Sequence, residues 1–158
     1  MKAIVQSRYG PPREVLALED IAGPLVGAND VLVRVHSASV NPADWHVIRG
    51  DPFIARLSFG LRGPKDRVPG CDVAGRVEAV GSAVTAFGPG DEVFGSSFMR
   101  GFGAFAETAS VPHDILAVKP ANLSFEHAGA SPQHRRHPDC RNRPRAKSLS
   151  SSRPVLRA

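Results

Sequence analysis

Valines at 31, 33 and 35 alternate with Leu32, Arg34 and His36. This period of two places β-branched side chains on one face of an extended segment and mixed residues on the other, as in a half-buried strand. Further β-rich runs at residues 2–6, 72–80, 92–94, 105–111 and 115–119 are separated by turns bearing Gly or Pro, giving six predicted strands. A helix is expected from Asn41-Pro42 to about Arg49. Asn accepts from the free N–H groups of a first turn, Pro suits the first helical position, and Gly50 closes the helix. The stretch from Gly50 to Val68 reads as loop with an apolar filling of Phe53, Ile54, Leu57 and Phe59. Many short strands and few helices predict a mainly β fold, a sandwich or barrel.

A length of 158 residues allows one core. Apolar content of 42% and charged content of 22% exclude disorder throughout. Fifteen Gly and fourteen Pro suit a turn-dense β domain better than a helical bundle. The net charge of +5 is unevenly placed. From Pro132 onward lie eight of the twenty basic residues and one of the fifteen acidic ones, so this stretch carries +7 and the remainder −2. The stretch has no apolar periodicity and no aromatic residue to stack on a base, which argues against a designed nucleic-acid groove. It is expected to be a basic disordered tail. Ser124-Phe-Glu-His-Ala-Gly-Ala begins a capped helix that Pro132-Gln-His-Arg-Arg-His-Pro breaks off. Such an Arg/Pro/Ser-rich ending is what a GC-rich coding sequence yields out of frame, so a frameshifted or truncated end is expected. Two Cys make no disulfide framework, and neither a signal peptide nor a membrane span is visible. The expected location is cytoplasmic.

The most informative stretch is Val68-Pro-Gly-Cys-Asp-Val-Ala-Gly-Arg-Val-Glu-Ala-Val-Gly81, followed by Gly90-Asp-Glu-Val93. Ala74 and Gly75 permit close backbone approach, Gly81 allows positive φ, and Gly90-Asp91 makes a tight turn. With these residues the chain resembles the medium-chain dehydrogenase/reductase superfamily, whose GroES-like catalytic domain carries such a run followed by G-D-x-V. Asn41-Pro-Ala-Asp-Trp45, Gly103-Ala-Phe-Ala-Glu107 and Lys119-Pro-Ala-Asn-Leu-Ser-Phe-Glu126 agree with further family segments in order. The resemblance covers residues 1–131 and implies a GroES-like, partly open β-barrel with short helices. Residues 132–158 lie beyond it, and the Rossmann domain that follows in the family is expected to be absent. Gly101-Phe-Gly103-Ala-Phe-Ala106 fits a dinucleotide-binding pattern, but a strand rather than a helix is expected after it, so it is set aside.

Zinc-dependent members place a Cys in the first segment and a His after the Gly of the second. Here those positions hold Asn41 and Cys71. An amide is a poor zinc ligand, and Cys71 with Asp72 leaves the tetrahedral set incomplete, so no metal is expected. The chain resembles instead the zinc-free quinone oxidoreductase (zeta-crystallin-like) branch. That resemblance implies hydride transfer from NADPH to a quinone or conjugated carbonyl. It assigns Asn41 to the nicotinamide or substrate, with a bland alternative as helix N-cap. Asp72 faces the cleft or only pins a strand entry, and Asp44 orients neighbours or joins a local ion pair. His46 stands where many relatives have Tyr and is a candidate donor to the substrate oxygen, outside the usual pattern. The catalytic candidates are therefore Asn41, His46 and Asp72. Cys71 reads as a small packed residue, since no basic neighbour is evident. Without a nucleotide-binding domain, activity of the chain alone is expected to be negligible, and uncovered apolar surface points to self-association as a homo-oligomer. The competing readings are a GroES-like module that binds without catalysing and a nucleic-acid binder using the basic tail.

Overall fold

The computed structural model describes residues 1–98 and 100–130; the expected tail at 132–158 lies outside them. Strands β1 (Lys2–Gln6) and β2 (Leu16–Asp20) pair antiparallel across the single-turn helix α1 (Pro12–Val15). The main sheet contains β3 (Asp30–Ser37), β4 (Asp72–Val80), β5 (Glu92–Ser96), β6 (Thr108–Pro112) and β7 (Leu116–Val118). Their order is β6-β3-β4-β5-β7, and every pairing is antiparallel.

This sheet curls. Its two edge strands are consecutive in the chain, joined through the single 3₁₀ turn His113–Ile115. Four extended Cα steps reach about 14 Å, whereas the edges of a flat five-stranded sheet stand about 19 Å apart. The first and last strands must therefore approach one another, at least at one end. β1 covers part of the remaining gap: Ile4 N–H donates to Phe105 O at 2.8 Å, and Glu107 N–H to Lys2 O at 3.1 Å. The result is the mainly β, partly open GroES-like architecture the sequence implied.

The interior is the inward face of these strands. Val31, Val33, Val73, Val77, Val93, Val111 and Leu116 pack there with Phe87 and Ala104. Leu32 and Val35 are half-buried while Arg34 and His36 are exposed, as the alternation required. Backbones come unusually close at two glycines. A Cβ on Gly75 would fall on the carbonyl oxygen of Arg34, and one on Gly81 on the carbonyls of Gly27 and Ala28. Gly81 is thus required for close approach and not for positive φ; the positive φ of the adjoining turn is at Gly90, 93°.

Three other expectations are corrected. A seventh strand, β2, exists where six were read; its burial shows no alternation, with Leu18 69% exposed, so no inward face betrayed it. Residues 105–107 belong to the contact with β1 rather than to β6, which begins at Thr108. The segment after Gly50 is a 3₁₀ turn (Phe53–Ala55) and a helical turn α3 (Arg56–Phe59). Its Phe53, Ile54 and Leu57 are 65–70% exposed, so they do not fill a core.

Gly75→Ala should lower stability by at least about 2 kcal/mol, because a backbone carbonyl cannot move aside as a side chain would. Gly23→Ala, with nothing within 4 Å of the added carbon, should stay within about 0.5 kcal/mol of the parent. Urea denaturation of both variants checks the contrast.

Candidate active site

Helix α2 (Pro42–Arg49) is capped by the candidate residue Asn41 and carries the candidate His46, and both its ends are fastened. At its start Asn41 is the N-cap: its Oδ1 accepts from the backbone N–H of Ala43 at 2.8 Å and of Asp44 at 3.2 Å. Asp44 Oδ2 accepts in return from Asn41 N–H at 2.9 Å, completing a reciprocal capping box. At its far end Gly50 takes the left-handed conformation, φ 62°. The buried Gln6 amide donates to Ile48 O at 2.7 Å, fixing the last turn against β1.

The other half of the Asn41 side chain points into the protein. Its Nδ2 donates to Asp72 Oδ2 at 2.8 Å and to Cys71 Sγ at 3.2 Å. Ser39 Oγ donates to the same Asp72 oxygen at 2.9 Å. Asp72, the first residue of β4, is 9% exposed. Asn41 and Asp72 are therefore brought together by a hydrogen bond, and Asn41 is both N-cap and anchor. Ser39 was not singled out from the sequence; an isolated Ser two residues before a cap carries no signal there.

Two buried groups surround this bond. Asp44 is 1% exposed, and its Oδ1 has no hydrogen-bond partner among the described residues. Burial raises its pKa above the ordinary 3.8; the Asn41 N–H and the Cys71 thiol oppose the rise, and the negative charge of Asp72 adds to it. Cys71 is 1% exposed, and burial, aided by the two carboxylates, pushes its thiol up to about 12. It is thus held as a protonated packed residue.

His46 lies apart from the cluster, one turn along α2 and exposed. Its Nδ1 is 3.0 Å from Asp51 O. It lines an open groove of about 590 Å³ with Ala43, Val47, Ile54, Phe59 and Phe98. Asp51, Pro52 and Ser58 also border it, so its polar groups are few and its walls mostly apolar, as expected of a small-molecule site. The exposed Ile54, expected as apolar filling of a loop, is a wall of this groove.

Two outcomes are expected of the cluster. Asn41→Ala should cost about 2 to 4 kcal/mol, because it removes a cap worth about 1 kcal/mol and takes a donor from a buried carboxylate. Asn41→Ser keeps the cap and should recover only that first part, measured by urea denaturation. Because Asp44 is raised, the folded chain holds its proton more readily than the unfolded chain. Its contribution to stability is fully present below about pH 3.8 and is lost as the pH climbs through the raised value. Asp44→Asn removes that loss, so its stability relative to the parent should improve from acid to neutral pH.

Comparison with known proteins agrees with this geometry. Residues 27–121 match the family described as alcohol dehydrogenase GroES-like domain. The chain is 35% identical to quinone oxidoreductase of Sus scrofa over 130 residues, 82% of this chain and 37% of that one. It is 40% identical to the chloroplastic NADPH-dependent alkenal/one oxidoreductase of Arabidopsis thaliana over 139 residues, 84% of this chain and 34% of the relative. The solved quinone oxidoreductase of Coxiella burnetii superposes with a TM-score of 0.75 at 34% identity, over 84% of this chain and 41% of that one. The chain thus spans little more than a third of the length of these relatives. The family match over residues 27–121, the sequence identity and the shared fold agree: the chain belongs to the alcohol dehydrogenase GroES-like domain family of the medium-chain dehydrogenase/reductase superfamily.

Proposed function

We propose that this chain is the substrate-side unit of an NADPH-dependent, zinc-independent oxidoreductase acting on quinones or conjugated carbonyls. The observation that carries the reading is the apolar groove along α2, the helix whose N-cap Asn41 is bonded to Asp72 of β4. Ile54, Phe59 and Phe98 offer such a flat, weakly polar acceptor apolar contact. The names of the pig and Arabidopsis relatives support the acceptor class, and the latter supports NADPH.

The donor chemistry supports a site without zinc. Zinc takes thiolate, and the Cys71 thiol is held protonated among two carboxylates. The amide of Asn41 turns its N–H donors, not a lone pair, toward Cys71 and Asp72. Among the described residues, no group of three His, Cys, Asp or Glu is placed to hold a metal.

NADPH, when bound, supplies the hydride; its main binding unit is proposed to lie in the part of the relatives that this chain does not match. In this chain, residues 1–131 form the catalytic unit, with Asn41 and Asp72 on the nicotinamide side. Both amide hydrogens of Asn41 are committed to Asp72 and Cys71, so this pair acts as a rigid polar rim that needs no reorganisation during the reaction. His46 is one of the few polar groups of the substrate groove, with Asp51 and Ser58.

Fused to the unmatched portion of the pig enzyme, the chain should oxidise NADPH in the presence of 1,4-naphthoquinone, and a chelator should leave the rate unchanged. Asp72→Asn should reduce kcat/KM by about 10², with a smaller effect on ligand binding by the groove. A rate that depends on added zinc, or no quinone-dependent oxidation by a folded fusion, would defeat the proposal.

A further inference from the structure

We infer that His46 faces the groove as a hydrogen-bond acceptor, so that the groove favours ligands carrying a hydroxyl over acceptor-only ligands of the same skeleton. This rests on the reading of the groove as the substrate site and assigns the ligand chemistry that it prefers.

The inference comes from how α2 ends. Asp51 N–H donates to His46 O at 3.0 Å, while Asp51 O lies 3.0 Å from His46 Nδ1. The two residues are clasped in both directions, and the left-handed Gly50 between them sets the turn. A carbonyl oxygen can only accept, so Nδ1 must carry the ring hydrogen. In a neutral imidazole the remaining nitrogen, Nε2, then carries a lone pair. No protein group among the described residues meets Nε2. The backbone therefore fixes the tautomer, and with it the sign of the hydrogen bond offered to a ligand.

The rest of the groove points the same way. Its other ionisable wall residue is Asp51, exposed and itself an acceptor when charged. Ser58 is the one wall hydroxyl and serves either role. Arg49 and Arg56 line a different cavity, about 240 Å³, on the Gly10 side of the turn. A quinone or ketone brings only lone pairs to this acceptor-rich wall, whereas a hydroquinone, a phenol or a hydroxylated carbonyl compound brings a hydrogen. This reverses the donor role expected of His46 from its position alone.

The full chain can be titrated with 2-naphthol and with 2-methoxynaphthalene and followed by amide ¹H–¹⁵N NMR at about pH 8.5. The naphthol should bind about fivefold more tightly, the equivalent of one hydrogen bond. Long-range ¹⁵N spectra should show the Nδ1–H tautomer for His46. In His46→Asn, whose amide can keep the bond to Asp51 O but has nothing at the place of Nε2, the two affinities should converge. Equal affinities in the parent chain, or an Nε2–H tautomer, overturn the inference and leave the reductase reading standing. Shifts from neither ligand at Val47, Ile54 or Phe98 overturn both.

Discussion

The bond from Asn41 Nδ2 to Asp72 Oδ2 is the constraint on which the site depends. One side chain performs two tasks in opposite directions: its oxygen starts helix α2 and its nitrogen holds the first residue of β4. The amide is well suited to both because it is donor and acceptor at once and carries no charge of its own. A Ser or Asp would cap the helix, but neither supplies two hydrogens to a carboxylate and a sulfur. With Asn41 in place, Asp72 can remain in a low-water setting beside Cys71, and α2 lies where His46 and Val47 reach the groove. The position of the groove is thus set by a polar contact within the domain.

That polar cluster carries an internal tension. Asp44 and Asp72 are both nearly inaccessible and close enough for each to feel the other's charge. Asp44 serves as a capping partner through one oxygen, and its second oxygen is buried without a partner. Burial of that oxygen ordinarily costs stability, and the neighbouring Cys71 offsets part of the cost. Salt bridges elsewhere lie toward the surface, as in Arg34–Glu78 and Arg76–Glu92, and exposed pairs of this kind contribute little. Lys119 differs: it is buried, pairs with Glu92 at 3.0 Å and donates to the carbonyls of Pro120 and Leu123. It thereby shapes the turn that delivers helix α4 (Phe125–Gly129).

Much of the fold could be read from the residues because local chemistry and tertiary packing agree there. The alternating valines of β3, the Asn-Pro start and Gly50 end of α2, and the close approach at Gly75 all appear as expected. Readings failed where the decisive partner is distant in the chain. β2 exists because β1 pairs with it and shows no buried face of its own. Gly81 looked like a turn residue, yet it is the carbonyls of residues 27 and 28 that exclude a side chain. Phe53, Ile54 and Leu57 read as the apolar filling of a loop because such residues ordinarily seek cover, and the described chain offers them little. Within the site, the association of Asn41 with Asp72 was foreseeable from motif positions. The committed hydrogens of Asn41, the contribution of Ser39 and the clasp between His46 and Asp51 depend on side-chain orientation, which the sequence does not carry.

The three residues between β6 and β7 have a bearing on how such domains diversify. Because this link ties together the strands at opposite margins of the sheet, its length acts as a gauge on the girth of the whole barrel. A longer link would let the wall relax outward and loosen contacts such as those of Val93 and Leu116, far from the helix that bears the chemistry. A change in the segment around Ile54 and Phe98 reshapes the groove wall without touching that link, so the circumference is set apart from the groove.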